Sequence, residues 1–174
     1  MPPPQDDPRP EPGADDPFGL QRFVAAQAST LQAALQELSL GHKRSHWMWF
    51  VFPQLRVLGR SETARRYGLA SAEEALAYWQ HPLLGPRLRQ CVERLLGVDG
   101  RSALQVFGTV DALKFCSSMT LFEQVAPQEP MFGMALQKYC AGRRDDLTLD
   151  WLQSQRGSDA SSTKAAALPR AAKP

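Results

Sequence analysis

Residues 42–55 read HKRSHWMWFVFPQL, and the fold class turns on what the stretch 47–52 becomes. Trp47, Met48, Trp49, Phe50, Val51 and Phe52 form an unbroken apolar run. A run of that length suits a buried strand or a buried helical segment, and periodicity cannot separate the two. Its neighbours decide. On both sides apolar residues recur three and four apart, and no hairpin dipeptide sits between alternating runs. The segment is therefore read as helical, with Pro53 ending or kinking it. The chain is read as all-α, a single domain of about six or seven short helices around one core.

Upstream, Asp16-Pro17 is a helix start with proline in the first position. Phe23, Val24, Leu31, Leu35 and Leu38 follow at helical spacing until Gly41, which can accept the left-handed conformation that stops a helix. Downstream, Ser71-Ala72-Glu73-Glu74 is a capping box opening a helix that ends near Trp79, before His81-Pro82. Leu84, Leu88, Cys91, Val92, Leu95 and Leu96 make the cleanest apolar stripe, closed by Gly97. Ser102 to Phe107 is a short helix stopped by Gly108. Thr109 can cap the next, which carries Val110, Leu113, Met119, Phe122 and Val125 and ends at Pro127. Helices over 130–139 and 146–152 complete the set, with Asp146 as a cap.

The ends read differently. Residues 1–17 hold seven of the 14 prolines and five acidic residues against Arg9, and cannot bury enough apolar surface to fold. Residues 157–174 are rich in Ala, Ser, Pro and Lys and read as a second disordered tail. The domain is thus 18–156. The 174 residues carry a net charge of +2; the tails contribute −4 and +2, so the domain carries +4. That balance suits an anionic small molecule and is low for a protein that wraps nucleic acid. No apolar run is long enough for a membrane helix, and the N-terminus is no secretory signal. Cys91, Cys116 and Cys140 are odd in number, far apart and never spaced as C-x-x-C. They read as free structural thiols of a reducing cytoplasm.

Three stretches carry a resemblance. RSHWMWFVFPQL with LGRSETARRYGL, then HPLLGPRL, then FGTVDALKFCSSMTLF resemble the bacterial domain-of-unknown-function 1810 family over 16–152. The resemblance implies one all-α domain and no established reaction. Some members carry the name calpastatin, which implies a disordered, repetitive protease inhibitor; the 18–156 core is neither disordered nor repetitive.

Chemistry concentrates at the aromatic run. Rigid rings behind Lys43, Arg44 and His46 can form a pocket with a few fixed polar groups. The same tryptophans can equally fill the core, their indole N–H groups on backbone carbonyls. His42 and His46, four apart, would share a helix face, but the residues between them include two cations and no glutamate, so no metal site is read. His46 can handle a proton or be a hydrogen-bonded structural residue. Asp111 suits either proton handling or the positive end of its helix. Lys114, Ser117, Ser118 and Thr120 either line a polar pocket or bond back to the preceding turn. Arg60, with Arg56, Arg65, Arg66 and Tyr67, lies in the densest basic stretch.

The leading expectation is an enzyme or binding protein for a phosphate-bearing small molecule such as a nucleotide or nucleotide-sugar. Lys43, Arg44 and Arg60 would hold the anion, Trp49 or Tyr67 would stack on a ring, and His46 or Asp111 would move a proton, with Lys114 and Ser118 in the wall. No glycine-rich phosphate loop is present, so arginines must do the gripping and no cofactor is named. A helical interaction module using the aromatic run as a partner surface and a weak nucleic-acid binder are the alternatives. Oligomeric state is not legible.

Overall fold

A computed structural model describes residues 15–165, with side chains through residue 158. It contains nine α-helices and one 3-10 turn among the described residues, and no strand beyond an isolated bridge between Leu55 and Leu69. The helices are α1 (Gln21–Ala28), α2 (Leu31–Ser39), α3 (Met48–Val51), α4 (Glu62–Arg66), α5 (Ala72–Gln80), α6 (Leu84–Leu96), α7 (Ala103–Val125), α8 (Pro130–Tyr139) and α9 (Asp146–Ala165). The 3-10 turn is Arg56–Leu58. None of the described helices is long and apolar enough to cross a membrane.

The fold is built around α7, which packs against α5, α8 and α9, while α6 packs against α2, α5 and α8. The aromatic run decides as expected: α3 is helical, and Trp47, Met48, Phe50, Val51 and Phe52 are buried. Phe52 meets Phe115 of α7 edge to face at 5.1 Å, and Phe115 stacks on Phe107 at 4.9 Å. Such pairs add about 0.5–1.5 kcal/mol each beyond the area they bury. Ser71 caps α5 by accepting from the Glu74 N–H, and Ser102 and Gln105 form a reciprocal capping box on α7.

Two glycines act as read. Gly41, at φ +63°, turns the chain out of α2, and Gly108, at φ +78°, kinks α7 between a short first piece and a long second one. A residue with a Cβ is strained at either place.

Several expectations change. The single helix expected up to Gly41 is two, broken at Ser29-Thr30, where the Thr30 hydroxyl donates back to Ala26 O at 2.8 Å. The break lets α1 face α3 while α2 faces α6, and with the short α4 it takes the helix number past six or seven. Pro17 is not the first helical residue. A turn intervenes, and Asp16 caps from a distance, its carboxylate accepting from the Leu20 and Gln21 N–H groups at 2.7 and 2.9 Å. Residues 42–47 are not helical, so His42 and His46 share no helix face. At the other end α9 runs past 152 to Ala165, because no proline interrupts the chain before Pro169. The remainder of the two expected tails, 1–14 and 166–174, lies outside the described residues.

The cysteines are the largest correction. Cys116 and Cys140 form a disulfide, their Cα atoms 6.0 Å apart, that ties the middle of α7 to the end of α8. Only Cys91 is a free thiol. Burial pushes it up to about 12, with Arg94 opposing only in part, so it stays protonated and inert. Odd number and wide spacing misled because the packing of α7 on α8, not sequence distance, brings two thiols together.

Candidate functional site

The site grows from the loop between α2 and α3. Glu37, in the last turns of α2, holds that loop: its carboxylate accepts from the Arg44 N–H at 2.7 Å, the Ser45 N–H, the Ser45 hydroxyl and Trp47 Nε1 at 2.9 Å. Burial pushes Glu37 up, but these donors outweigh it and hold its carboxyl down at about 2. The Trp47 indole thus bonds to a carboxylate rather than to a backbone carbonyl.

With the loop fixed, Lys43 extends along Trp47, its ammonium 5.1 Å from the ring centroid. It donates to Ser45 O at 2.8 Å and pairs with Asp111 of α7 at 2.9 Å. The other Asp111 oxygen lies 3.3 Å from Lys114 Nζ, one turn on. Lys114 in turn sits over Trp49, 5.2 Å from the ring centroid, and His46 stacks against the same indole at 6.4 Å. Lys43, His46, Trp49, Asp111 and Lys114 are therefore one contiguous group. Asp111 has a lysine on each oxygen, and in that arrangement its charge positions two ammonium groups.

Lys114 also faces a cavity of about 590 Å³ between the 54–64 segment, α7 and the start of α9. Arg60 enters the same cavity from the loop that leads into α4, and Gln54 and Ser117 add polar atoms. Arg60 is exposed and has no ion-pair partner among the described residues. Asp145 is the carboxylate in the wall; one of its oxygens accepts from the Thr148 N–H and hydroxyl at the start of α9. Leu58, Leu113 and Leu147 give the cavity an apolar side.

Three candidates point elsewhere. Arg44 faces a different hollow, with Glu37 and Arg101. Tyr67 packs its ring on Phe23 and Phe50 at 5.9 and 5.2 Å. Ser118 is fully buried in α7, and its hydroxyl has no hydrogen-bond partner among the described residues. Its neighbours bond back along the helix, Ser117 to Leu113 O and Thr120 to Cys116 O. His81 caps: its Nδ1 accepts from the Leu83 and Leu84 N–H groups at the start of α6. Among the described residues no group of three or more His, Cys, Asp or Glu could hold a metal ion.

Glu37, Gln54 and Asp145 were not singled out from sequence as parts of the site, whereas Ser117 was named there as a pocket-lining hydroxyl or one that bonds back, and it does both. Glu37 carries no local signal, since its partners begin seven residues on and the turn at Gly41 brings them back.

Residues 17–152 match the family described as protein of unknown function DUF1810. The chain belongs to this family. It is also similar to a solved structure, the crystal structure of the conserved hypothetical protein Rv1873 from Mycobacterium tuberculosis. The two share 52% sequence identity over 79% of this chain and 99% of that chain, with a TM-score of 0.78. No curated protein matches the chain. The DUF1810 assignment thus agrees with the all-helical fold and brings no reaction with it.

Proposed function

We propose that this DUF1810 protein binds a phosphate-bearing small molecule in the cavity between the 54–64 segment and α7. One observation carries the reading: Arg60 and Lys114, distant in sequence, meet at an apolar cavity while Arg60 keeps its whole guanidinium fork unpaired among the described residues. A guanidinium fork matches phosphate oxygens two at a time. Lys114, oriented by Asp111 and Trp49, supplies a second positive charge, and Lys43 offsets the Asp111 charge behind it. The apolar wall of Leu58, Leu113 and Leu147 suits the ring portion of a nucleotide or nucleotide-sugar. His46 stacks on Trp49 behind Lys114 and does not line the cavity. Binding is the function inferred, and no reaction is assigned.

Thermal denaturation of the full chain against nucleotides, nucleotide-sugars and sugar phosphates tests this. A ligand at 100 times its Kd adds about 2.7 kcal/mol, which raises Tm by several degrees in a domain of this size. The shift should vanish in the Arg60→Ala/Lys114→Ala double variant. A flat response across the panel, or a shift that survives in the double variant, overturns the reading.

A second reading has its own observation. Val110, Leu113 and Leu147 border the cavity and are each about two-thirds exposed, at 65%, 69% and 65%. An apolar rim of this kind also suits a protein segment. The aromatic run does not serve that role, since Trp47 is buried and Trp49 is half-buried. Concentration-dependent self-association lost in Leu113→Ser would favour this second reading.

A further inference from the structure

Arg44 and Arg101 flank the aromatic run from opposite sides in sequence and face one hollow of about 480 Å³. Its walls are the last turns of α2, the His42–Arg44 stretch and the residue that precedes the α7 cap. His42, Arg44 and Arg101 are all exposed, and neither guanidinium has an ion-pair partner among the described residues. Glu37 is the carboxylate in the wall, and its oxygens already accept from four donors of the 44–47 loop. The hollow therefore presents two guanidinium forks and an imidazole against a carboxylate whose acceptor sites are largely occupied.

We propose that this hollow is a second anion site, which takes a phosphate group between the Arg44 and Arg101 guanidinium forks with His42 as a further donor. The fold places the chain at both arginines beside the hollow. The Arg44 backbone is tied to Glu37 through its own N–H. The stem of Arg101 lies against Gly41, where a Cβ would meet its Cγ at 3.1 Å. Backbone placed in this way lessens the ordering that binding requires, and planar forks give a tetrahedral oxyanion paired hydrogen bonds. The site is independent of the Arg60–Lys114 cavity, with which it shares no lining residue.

The test follows the arginine Nε–Hε signals of the isotope-labelled full chain by NMR while inorganic phosphate, and in a second arm glycerol phosphate, is added. The expected result is that Arg44 and Arg101 respond together and saturate at one midpoint. Arg101→Lys, which keeps the charge and loses the fork, should weaken the Arg44 midpoint by about tenfold. Arg101→Ala should abolish saturation. The Arg60→Ala/Lys114→Ala double variant should leave the midpoint unchanged, so failure of either site is seen separately. Tighter binding of glycerol phosphate marks the phosphate as one end of a larger molecule, and tighter binding of inorganic phosphate marks the free ion; both support the site. Linear responses shared with Arg143, separate midpoints for Arg44 and Arg101, or an Arg44 response unchanged by Arg101→Ala would overturn it.

Discussion

Arg22 and Lys43 each reach across the chain to a carboxylate, and the two pairs differ in what they leave unused. Arg22 is sealed between α1 and the 66–74 segment. It donates to the carbonyls of Phe18, Gly19, Arg66 and Gly68 and to Glu74 at 2.5 Å. Every N–H of its fork is thereby engaged, and the second Glu74 oxygen accepts from the Ala70 N–H. Lys43 and Lys114 share Asp111 near the surface, where Lys114 still faces a cavity and Arg60 opposite has no described partner. A charge with all its hydrogen-bonding capacity engaged by the chain holds structure. A charge with capacity left over, fixed in place at a cavity, is available to a ligand.

The largest expected effect tests the sealed half. Arg22→Ala would leave the Glu74 carboxylate buried and unpaired, and should cost about 3–5 kcal/mol in denaturant unfolding. A loss below about 1 kcal/mol would place this pair with the surface pairs and erase the contrast. Next is the Cys116–Cys140 crosslink, which closes a separation of 24 residues. The double change to alanine should remove about 3 kcal/mol by freeing the unfolded chain, and denaturation with and without a thiol reductant checks it.

Glu37→Gln comes third. It weakens the four bonds to the 44–47 loop and should cost about 1–3 kcal/mol. Because the folded carboxyl is held at about 2, below its ordinary 4.5, its stabilising contribution is complete above 4.5 and is lost as pH falls from there towards 2. Tm measured between pH 2 and 7 should therefore fall less steeply in the variant than in the parent. An identical acid slope would show that Glu37 does not hold the loop. The smallest stability effect belongs to the open half. Lys114→Ala should change unfolding by about 1 kcal/mol or less while removing the ligand-induced rise in Tm. A larger stability loss with ligand binding intact would move Lys114 to the sealed class.

Much of the scaffold was legible. Leu84 to Leu96 is a helix because its apolar residues repeat on one face, and Ser71 caps α5 because its short side chain places a hydroxyl oxygen where it accepts from the N–H three positions on. The site was legible in part. Lys43, His46, Trp49, Asp111 and Lys114 converge, whereas Arg44, Tyr67 and Ser118 face other surroundings. The misplaced residues share a cause: their direction depends on the backbone of neighbours. Arg44 follows a loop that periodicity cannot orient, and Ser118 sits one position from Ser117, enough on a helix to turn a side chain from the cavity into the core.

By itself, the sequence determined the all-α class, several helix boundaries such as those at Gly41, Ser71 and Gly97, and the aromatic centre, because these depend on interactions spanning only a few residues. Tertiary structure alone decided that Cys116 meets Cys140, that Arg22 is buried with Glu74, that Glu37 gathers the 44–47 loop, and that Arg60 and Lys114 line one cavity. Each of these joins groups distant in sequence, and only the way helices pack brings such groups within a few ångströms of one another.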